Sequence, residues 1–298
     1  MKLCIIGTKN TDPIIIEEAK KHFEKVLLAP ISGVLLVSSD GKIIPRYKDT
    51  DLKKFDCVLT LVDKDDYHFA FLLMNNLSKS VFKPQGITSF ATVSDRTSLF
   101  KKLSENRISV PNIALANRAE AAKRGVKELK FPIVLRAGEK EVMLAHTEQE
   151  ALSMVDTLQT LNRKIFLEEY STRGKLYDLF VMGDEVVGAV KKKVVGTTIK
   201  EDRKFKVKLN KRMIETALKT ARILKTEWAR ISMFDFKDPK VIDVDLTPSV
   251  TNVCEIAGKD VTPDLMNMLK QYSELEQKES LPMKIVSEIV KVRDELKN

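Results

Sequence analysis

One stretch decides how the fold of this chain is interpreted, Met233-Phe-Asp235-Phe236 followed by Val241-Ile-Asp243-Val-Asp245-Leu-Thr-Pro248. It places three carboxylates inside otherwise apolar, strand-like segments, where an unpaired buried charge is costly. Asp243 and Asp245 stand two residues apart, so a strand directs both side chains to one face. A hairpin centred on Pro239 would place Asp235 opposite Asp243 and bring the three carboxylates together.

Carboxylates on a shared face favour a hard divalent ion. Mg²⁺ takes oxygen ligands and binds substrate phosphates at the same time, whereas zinc would require His or Cys nearby. The stretch therefore predicts Mg²⁺, with Mn²⁺ as the alternative, held by Asp235, Asp243 and Asp245. The residues alone leave a second interpretation equally open, in which the carboxylates line the exposed face of an amphipathic hairpin.

The composition limits the class of protein. The 298 residues are 43% hydrophobic, which allows one large core or two to three smaller ones. The formal charge of +9 attracts anions, whether phosphates, nucleic acid, an acidic protein tail or an anionic lipid surface. Charge does not choose among these ligands.

Three features favour the cytoplasm. Cys4, Cys57 and Cys254 are far apart and have apolar neighbours, which is typical of free thiols in a reducing compartment. The N-terminal run lacks the hydrophobic region and cleavage site of a signal peptide. No segment approaches the ~18–20 apolar residues of a membrane span. We therefore expect a cytoplasmic protein without a membrane partner.

Strands and helices alternate through the first part of the chain, which favours a small open α/β domain. The predicted strands are Lys2–Ile6, Val26–Leu28, Val34–Val37 and Cys57–Leu61, and the predicted helices are Pro13–Phe23 and Tyr67–Leu77. Ser94-Asp95 can cap a further helix that Pro111 ends.

A compact α+β pattern follows. Its predicted elements are the helices Asn117–Gly125 and Thr147–Leu161 and the strands Phe131–Arg136 and Val142–Ala145. Beyond it we expect the strands Ile165–Glu169, Tyr177–Met182, Glu185–Lys192 and Arg203–Leu209, the helix Lys211–Leu224, and a hairpin of Ile231–Phe236 with Val241–Leu246. A polar amphipathic helix is predicted from Pro282 onward.

Five blocks resemble the RimK-like ATP-grasp amino-acid ligases, in an order that covers nearly the whole chain. The first three are Ser94-Asp95-Arg96 with Val110-Pro111, Phe131-Pro-Ile-Val-Leu-Arg136, and Phe166-Leu-Glu168-Glu169-Tyr170. The two most specific are Val181-Met-Gly-Asp-Glu-Val-Val-Gly-Ala-Val190 and Asp235…Asp243-Val-Asp245 with Pro248 and Gly258-Lys-Asp-Val261.

The resemblance implies an α/β (α+β lobes) fold, an ATP-grasp fold preceded by a small Rossmann-like domain. We expect the pre-ATP-grasp domain at residues 1–92, the central lobe at 93–167 and the C-terminal lobe with a terminal helix at 168–298. ATP would lie between the two lobes, with the metal on the last strand pair.

The resemblance also implies roles for cationic and hinge residues. Arg96 and Arg136 stand where family lysines contact the phosphates, and an arginine keeps the charge but presents a planar fork. Glu168 and Glu169 fall at the hinge, where backbone groups bind the adenine edge. Lys191 is a further expected partner of phosphate charge.

Two further assignments from the family resemblance are less specific. Asp178 can be the acidic partner of the ribose, although a register anchored on Gly183 puts Leu176 there instead. On the substrate side, Lys200 and Arg203 are the expected catalytic cations.

The expected strand Arg203–Leu209 alternates lysines with apolar residues, so it would present one basic face. An ordinary edge strand, on which lysines discourage aggregation, explains this pattern as well as an electropositive wall beside the nucleotide cleft does.

The function implied is an ATP- and Mg²⁺-dependent carboxylate–amine ligase. It would form an acyl phosphate and add an amino acid such as glutamate to an acidic protein, a peptide or a cofactor tail. The alternative is a catalytically weak ATP-grasp scaffold that binds nucleic acid, a ribosomal component or an acidic protein; nucleic acid is the less favoured partner, and a homo-oligomer is an open option. The short segment Ala137–Glu141, where the family has a glycine-rich phosphate flap, motivates the alternative.

Overall fold

A computed structural model describes residues 1–137, 142–160, 162–170, 174–195, 198–202 and 207–295. Within these ranges, the side chains of residues 39, 193–195, 198–202 and 279–295 are not described. Arg203 and most of the predicted flap, residues 138–141, lie outside the described residues, as does the side chain of Lys200.

The N-terminal part is built around a parallel sheet. Its elements are β1 (Lys2–Gly7), α1 (Pro13–His22), β2 (Lys25–Pro30), β3 (Val34–Ser39), β4 (Lys42–Tyr47), β5 (Thr50–Asp51), β6 (Cys57–Thr60), α2 (Tyr67–Asn75) and α3 (Ile87–Val93). The order β2-β1-β6 is parallel, and β3-β4-β5 form a separate antiparallel sheet. The strand–helix alternation thus gives the expected α/β topology.

A four-stranded antiparallel sheet forms the central part, in the order β7-β10-β8-β9. Its elements are α4 (Arg96–Glu105), β7 (Ile113–Ala116), α5 (Ala119–Lys127), β8 (Ile133–Arg136), β9 (Val142–Ala145), α6 (Glu148–Gln159) and β10 (Ile165–Glu169). Asp95 caps α4 and Thr147 caps α6, each accepting a bond from a backbone N–H of the first turn. The whole of β10, including Glu168 and Glu169, belongs to this sheet.

The C-terminal part contains a five-stranded sheet in the order β13-β12-β11-β14-β15. Its elements are β11 (Leu176–Met182), β12 (Glu185–Val195), β13 (Thr198–Asp202), α7 (Lys211–Leu224), β14 (Trp228–Phe234), β15 (Lys240–Asp245), α8 (Val250–Ala257) and α9 (Thr262–Glu295). Gly183 has a φ of 57° in the turn between β11 and β12, as a tight hairpin requires. Residues 207–210 have no regular structure, so the predicted strand is wrong for its described end.

The pairing of β14 with β15 differs from the predicted hairpin. Ser232, not Asp235, lies opposite Asp243, and Arg230 lies opposite Asp245. The pairing ends at Phe234 with Lys240, so Asp235 falls in the connection, and a register shift after Ser232 moves the strands by one further residue. The predicted position of Asp235 was therefore wrong.

The two faces of the C-terminal sheet are chemically different. One face, with Leu179, Ile231 and Met233, is buried in the same apolar cluster as Met213 and Ala217 of α7. Each such large side chain contributes about 1.5–3 kcal/mol when it is buried. The opposite face carries the charged residues of the candidate site, because successive side chains of a strand point to opposite faces.

Across the described residues we find no helix whose length and apolar character would let it cross a lipid bilayer.

Candidate functional site

Asp243 is the centre of a group of charges. Both of its carboxylate oxygens accept bonds from Lys64 Nζ, at 2.9 and 3.0 Å. Arg96 Nη1 and Arg230 Nη2 each lie 3.3 Å from one of the two oxygens. Burial alone would raise the pKa of Asp243, but the three cations together outweigh it and hold that pKa below the usual value. Asp243 is therefore ionised and paired.

Arg230 lies between three carboxylates. Its Nη2 is 3.3 Å from Asp243 Oδ2 and 3.5 Å from Asp245 Oδ2, and its Nε is 3.8 Å from Asp178 Oδ2. Burial opposes the charge, yet Asp245, Asp178 and Asp243 together raise the pKa of Arg230. The sequence pattern did not single out this arginine; the signal available was a charged residue within the apolar strand Trp228-Ala-Arg-Ile-Ser-Met.

Asp245 is fixed by the N-terminal part of the chain. The buried hydroxyl of Tyr67 donates to Asp245 Oδ1 at 2.8 Å, and the backbone N–H of Thr247 donates to the same oxygen at 3.0 Å. Burial first, and then the charge of Asp245, keep the pKa of Tyr67 well above its usual value. Tyr67 and Lys64 thus hold the end of β15 against the N-terminal part. Neither was predicted from the sequence.

Arg96 joins the central sheet to the C-terminal sheet. Its Nη2 lies 2.7 Å from Glu168 Oε2 on β10 and 2.8 Å from the carbonyl oxygen of Ile242 on β15. The guanidinium also stacks over Phe100 and Phe166 at 5.1 and 5.6 Å from the ring centroids. A single predicted residue therefore bridges the two sheets between which the ligand is expected.

Glu168 faces the site, with Arg136 as a second and more distant cation whose Nε lies 3.9 Å away. Burial is the largest influence and raises the pKa of Glu168 despite both arginines. Glu169 points elsewhere: its carboxylate accepts bonds from Asn112 Nδ2 at 3.0 Å and the Lys130 N–H at 2.9 Å. The two neighbouring glutamates therefore have different surroundings.

Some backbone N–H groups at the predicted hinge already form hydrogen bonds within the protein. The N–H of Glu169 donates to the Asn112 carbonyl at 3.0 Å, and the N–H of Tyr170 donates to the Pro132 carbonyl at 2.9 Å. Binding of an adenine edge at this hinge stays a prediction.

Asp178 is completely buried on β11. It accepts a 2.5 Å bond from Ser232 Oγ, and Lys192 Nζ lies 2.6 Å from its other oxygen. Lys191, which was predicted to contact phosphate, pairs with Tyr177 and so lies on the opposite face of the sheet. This disagrees with its predicted role, because adjacent strand residues alternate between faces. Lys192 is the lysine on the charged face.

Asp235 does not join the other two predicted metal ligands. Its Oδ1 accepts a 2.6 Å bond from the Lys175 N–H, and its own N–H donates to the Lys175 carbonyl at 3.0 Å. Among the described residues, no group of three or more His, Cys, Asp or Glu is arranged to hold a metal ion. The expected convergence of three carboxylates was therefore wrong.

Lys200 lies on the edge strand β13, where its backbone pairs with Lys193. Since neither its side chain nor Arg203 is described, their catalytic roles stay predictions.

The carboxylates do not fit a divalent ion in this arrangement. One or two carboxylates can suffice for Mg²⁺ when phosphates complete the shell, so Asp243 and Asp245 would be enough in number. Their oxygens, however, face Lys64, Arg96, Arg230 and the Tyr67 hydroxyl, and a metal ion would have to displace these donors.

A cavity of about 470 Å³ adjoins the charged face. It lies at the ends of β1 and β6, beside the N-termini of α1 and α8, and its lining includes Thr8, Asn10, Asp12, Asp63, Thr247 and Ser249. Thr247 connects it to the site, because the Thr247 N–H bonds Asp245 while its hydroxyl donates to the Val62 carbonyl at 2.6 Å. An open cavity is therefore present next to Asp245.

Two antiparallel sheets joined by an arginine, together with a small parallel α/β unit, define a two-lobed α/β architecture with a charged site between the lobes. Residues 93–269 match the family model of the RimK-like ATP-grasp domain, so the chain belongs to that family. The predicted family and fold class are confirmed.

Two relatives agree with this assignment, and a solved structure shares the fold. A probable alpha-L-glutamate ligase of Rhodopirellula baltica is 21% identical, over 90% of this chain and 70% of the relative. The ribosomal protein bS6–L-glutamate ligase of Escherichia fergusonii is 22% identical, over 83% and 87%. The ATP-grasp ligase PsnB, solved with a precursor, Mg and ADP, has a TM-score of 0.67 at 12% identity and covers 91% of this chain and 98% of its own.

Proposed function

We propose that this chain is an ATP-dependent carboxylate–amine ligase that adds an amino acid, such as glutamate, to a protein or peptide acceptor in the cytoplasm. The observation that carries the proposal is Arg96, which bonds Glu168 of the central sheet and Asp243 of the C-terminal sheet and so places a cation where the two lobes meet. Membership of the RimK-like ATP-grasp family supplies the use of ATP.

The reaction needs no protein nucleophile. A carboxylate oxygen of one substrate attacks the γ-phosphorus of ATP, and ADP leaves. The amine nitrogen of the second substrate then attacks the acyl carbon, phosphate leaves, and the nitrogen loses a proton. Arg96 and Arg136 would hold and neutralise phosphate charge, so that the chain contributes through position and electrostatics.

The nature of the acceptor is supported by charge. A formal charge of +9 favours an acidic protein or peptide over a basic one. One relative is named for ribosomal protein bS6, and PsnB was solved with a precursor; both therefore act on or bind polypeptides. The cavity beside Thr247 would take the smaller substrate. The same reaction could also use a cofactor tail as the acceptor.

Mg²⁺ is part of the expected reaction mixture, since PsnB was solved with Mg and ADP. In this arrangement the described carboxylates do not offer it ligands, because their oxygens face Lys64, Arg96, Arg230 and the Tyr67 hydroxyl. The alternative function, a catalytically weak scaffold, has no support from the relatives described above.

The proposal is tested by ADP release from purified protein given ATP and a panel of amino acids with a glutamate-rich acceptor peptide. We expect release above background with one amino acid, and at least a tenfold loss in Arg96→Ala, on the order of the effect of one electrostatic contact in a transition state. Arg222→Ala, on the exposed surface of α7, is the matched control. ATP turnover that no amino acid or acceptor stimulates would contradict ligation.

A further inference from the structure

The place among the C-terminal carboxylates that a metal ion would need is filled by a side chain. The guanidinium of Arg230 lies within 4 Å of Asp178, Asp243 and Asp245, at 3.8, 3.3 and 3.5 Å. Because Arg230 projects from β14 directly opposite Asp245, this position follows from the sheet register itself. The cation is built into the sheet.

A second cation comes from a distant part of the chain. Lys64 begins the short helical turn Lys64–Asp66 that follows β6, and its Nζ contacts both oxygens of Asp243. Tyr67, three residues later, holds Asp245 in the same manner through its hydroxyl. The N-terminal part therefore supplies donors to both carboxylates.

The strand opposite Asp243 carries no further carboxylate for a metal. Ser232 occupies that position, and its hydroxyl bonds Asp178. Asp178 in turn is buried against Lys192 at 2.6 Å, so its charge is already compensated. A metal ion would have to break several charged contacts among half-buried side chains.

The charges of the cluster favour an anion as ligand. Among the described side chains of the cluster, four carboxylates face five cations: Glu168, Asp178, Asp243 and Asp245 against Lys64, Arg96, Arg136, Lys192 and Arg230. The excess positive charge attracts phosphate groups and repels a divalent cation.

We infer that this chain binds the phosphates of its nucleotide through side-chain cations, with Arg230 and Lys64 taking the place of a protein-bound divalent ion. Nucleotide binding is then independent of divalent metal. The inference rests on the proposed function and describes how that same site holds ATP.

The first test is calorimetric titration of the full-length protein with ATP, in EDTA and in excess Mg²⁺. We expect dissociation constants that agree within about threefold. Affinity that is at least about tenfold weaker in EDTA would overturn the inference and leave the proposed ligase standing. Absence of ATP binding in both buffers would overturn both.

The second test uses Mn²⁺ alone as the probe. Its binding to the protein is measured by electron paramagnetic resonance in the absence of nucleotide. We expect no saturable binding that depends on Asp243. Saturable binding that Asp243→Asn removes would show that the carboxylates take a metal, and would overturn the inference.

Asp243→Asn also separates the two models through ATP affinity. As a metal ligand, Asp243 would be required, and its loss would weaken ATP binding about tenfold or more. In the cation model the substitution removes a competing anion, so ATP affinity rises about threefold. Asp184→Asn, in the exposed β11–β12 turn, is the matched control.

The double variant Arg230→Ala with Ser232→Asp tests the role of Arg230 directly. It removes the fixed cation and supplies a carboxylate opposite Asp243, so ATP binding should become at least about tenfold tighter with Mg²⁺ than with EDTA. Circular dichroism shows whether the variant folds. A folded double variant without this metal dependence would overturn the role assigned to Arg230. If the double variant does not fold, the titrations of the wild-type protein still decide the inference.

Discussion

Glu168 in the central sheet and Asp243 in the C-terminal sheet are bonded by the same arginine, yet their pKa values shift in opposite directions. Burial is the largest single influence at both carboxyls, and by itself it would raise each pKa. Asp243 has Lys64, Arg96 and Arg230 within 3.3 Å, and they outweigh its burial. Glu168 has Arg96 close by and Arg136 at 3.9 Å, which do not.

Since burial acts in the same direction at both carboxyls, the difference shows that the number of adjacent cations decides which way each pKa shifts. It also makes Arg96 the link between the two regions, since it contributes to both carboxylates. Substitutions of Glu168 in the central sheet and of Asp243 in the C-terminal sheet should therefore separate what each sheet contributes to stability.

The largest effect is expected for Asp243→Ala. It leaves Lys64, Arg96 and Arg230 close together without their shared counter-charge, so the free energy of unfolding should fall by about 3 kcal/mol, as when one partner of a buried ion pair is removed. Urea unfolding measures this change. Asp238→Ala, 84% exposed in the neighbouring loop, should cost less than about 0.5 kcal/mol. Equal losses in both variants would show that the cluster does not stabilise the fold.

Arg96→Leu should come next, with a loss of about 2 kcal/mol at neutral pH, because it breaks the bonds to both sheets. Without Arg96 the pKa of Glu168 in the folded protein should rise further. The loss of unfolding free energy should therefore grow as the pH increases from the unfolded pKa of Glu168 through its raised folded pKa. Urea unfolding at a series of pH values measures this. Arg222→Leu on the surface of α7 is the control, and a pH-independent loss in Arg96→Leu would argue against coupling to Glu168.

The opposite pKa shifts should give opposite pH dependences in Glu168→Gln and Asp243→Asn. A raised folded pKa means that the wild type loses stability as pH rises past about 4.5, and Glu168→Gln lacks this loss. A lowered folded pKa means that the wild type loses stability as pH falls below about 3.8, and Asp243→Asn lacks that loss. Urea unfolding of both variants and the wild type at a series of pH values measures the two dependences. Parallel pH curves for the two variants would contradict the comparison.

Asp235→Ala should have the smallest effect. It removes the bond from the Lys175 N–H, which costs about 1 kcal/mol, and it should leave ATP affinity unchanged because Asp235 lies apart from the charged face. A three-carboxylate metal site would instead require Asp235. Calorimetry beside Asp243→Asn therefore distinguishes the two aspartates, and a loss of ATP affinity in Asp235→Ala would restore the metal-site interpretation.

Much of the secondary structure was predictable from local pattern. The predicted bounds of Val142–Ala145, Ile165–Glu169 and Lys211–Leu224 agree with the structure, and Asp95 caps its helix as expected. Apolar spacing and capping residues act over a few residues, so the sequence displays them directly. The elements β4, β5, β7, β13, α3 and α8 were not predicted, since they are short or lack strong periodicity.

The candidate site was predictable only in part. Arg96, Arg136, Glu168, Asp178, Asp243 and Asp245 lie together, as the family pattern implied. Asp235 was misplaced because the pairing of β14 with β15 ends before it and shifts register after Ser232. Lys191 was misplaced because it lies opposite Tyr177 in the pairing of β11 with β12, which directs it to the other face of the sheet. Lys64 and Tyr67 were missed because no local pattern marks them, and Arg230 was missed although it is a charged residue within an apolar strand.

By itself, the sequence determined the family, the order of strands and helices, and the alternation that puts Asp243 and Asp245 on one face. Only the tertiary structure decided what those carboxylates bind, because Lys64 and Arg96 are 179 and 147 residues away from Asp243 along the chain. Contacts at such separations depend on how the sheets and the N-terminal part pack, which no local period encodes. The charge of the site is therefore a property of the folded chain.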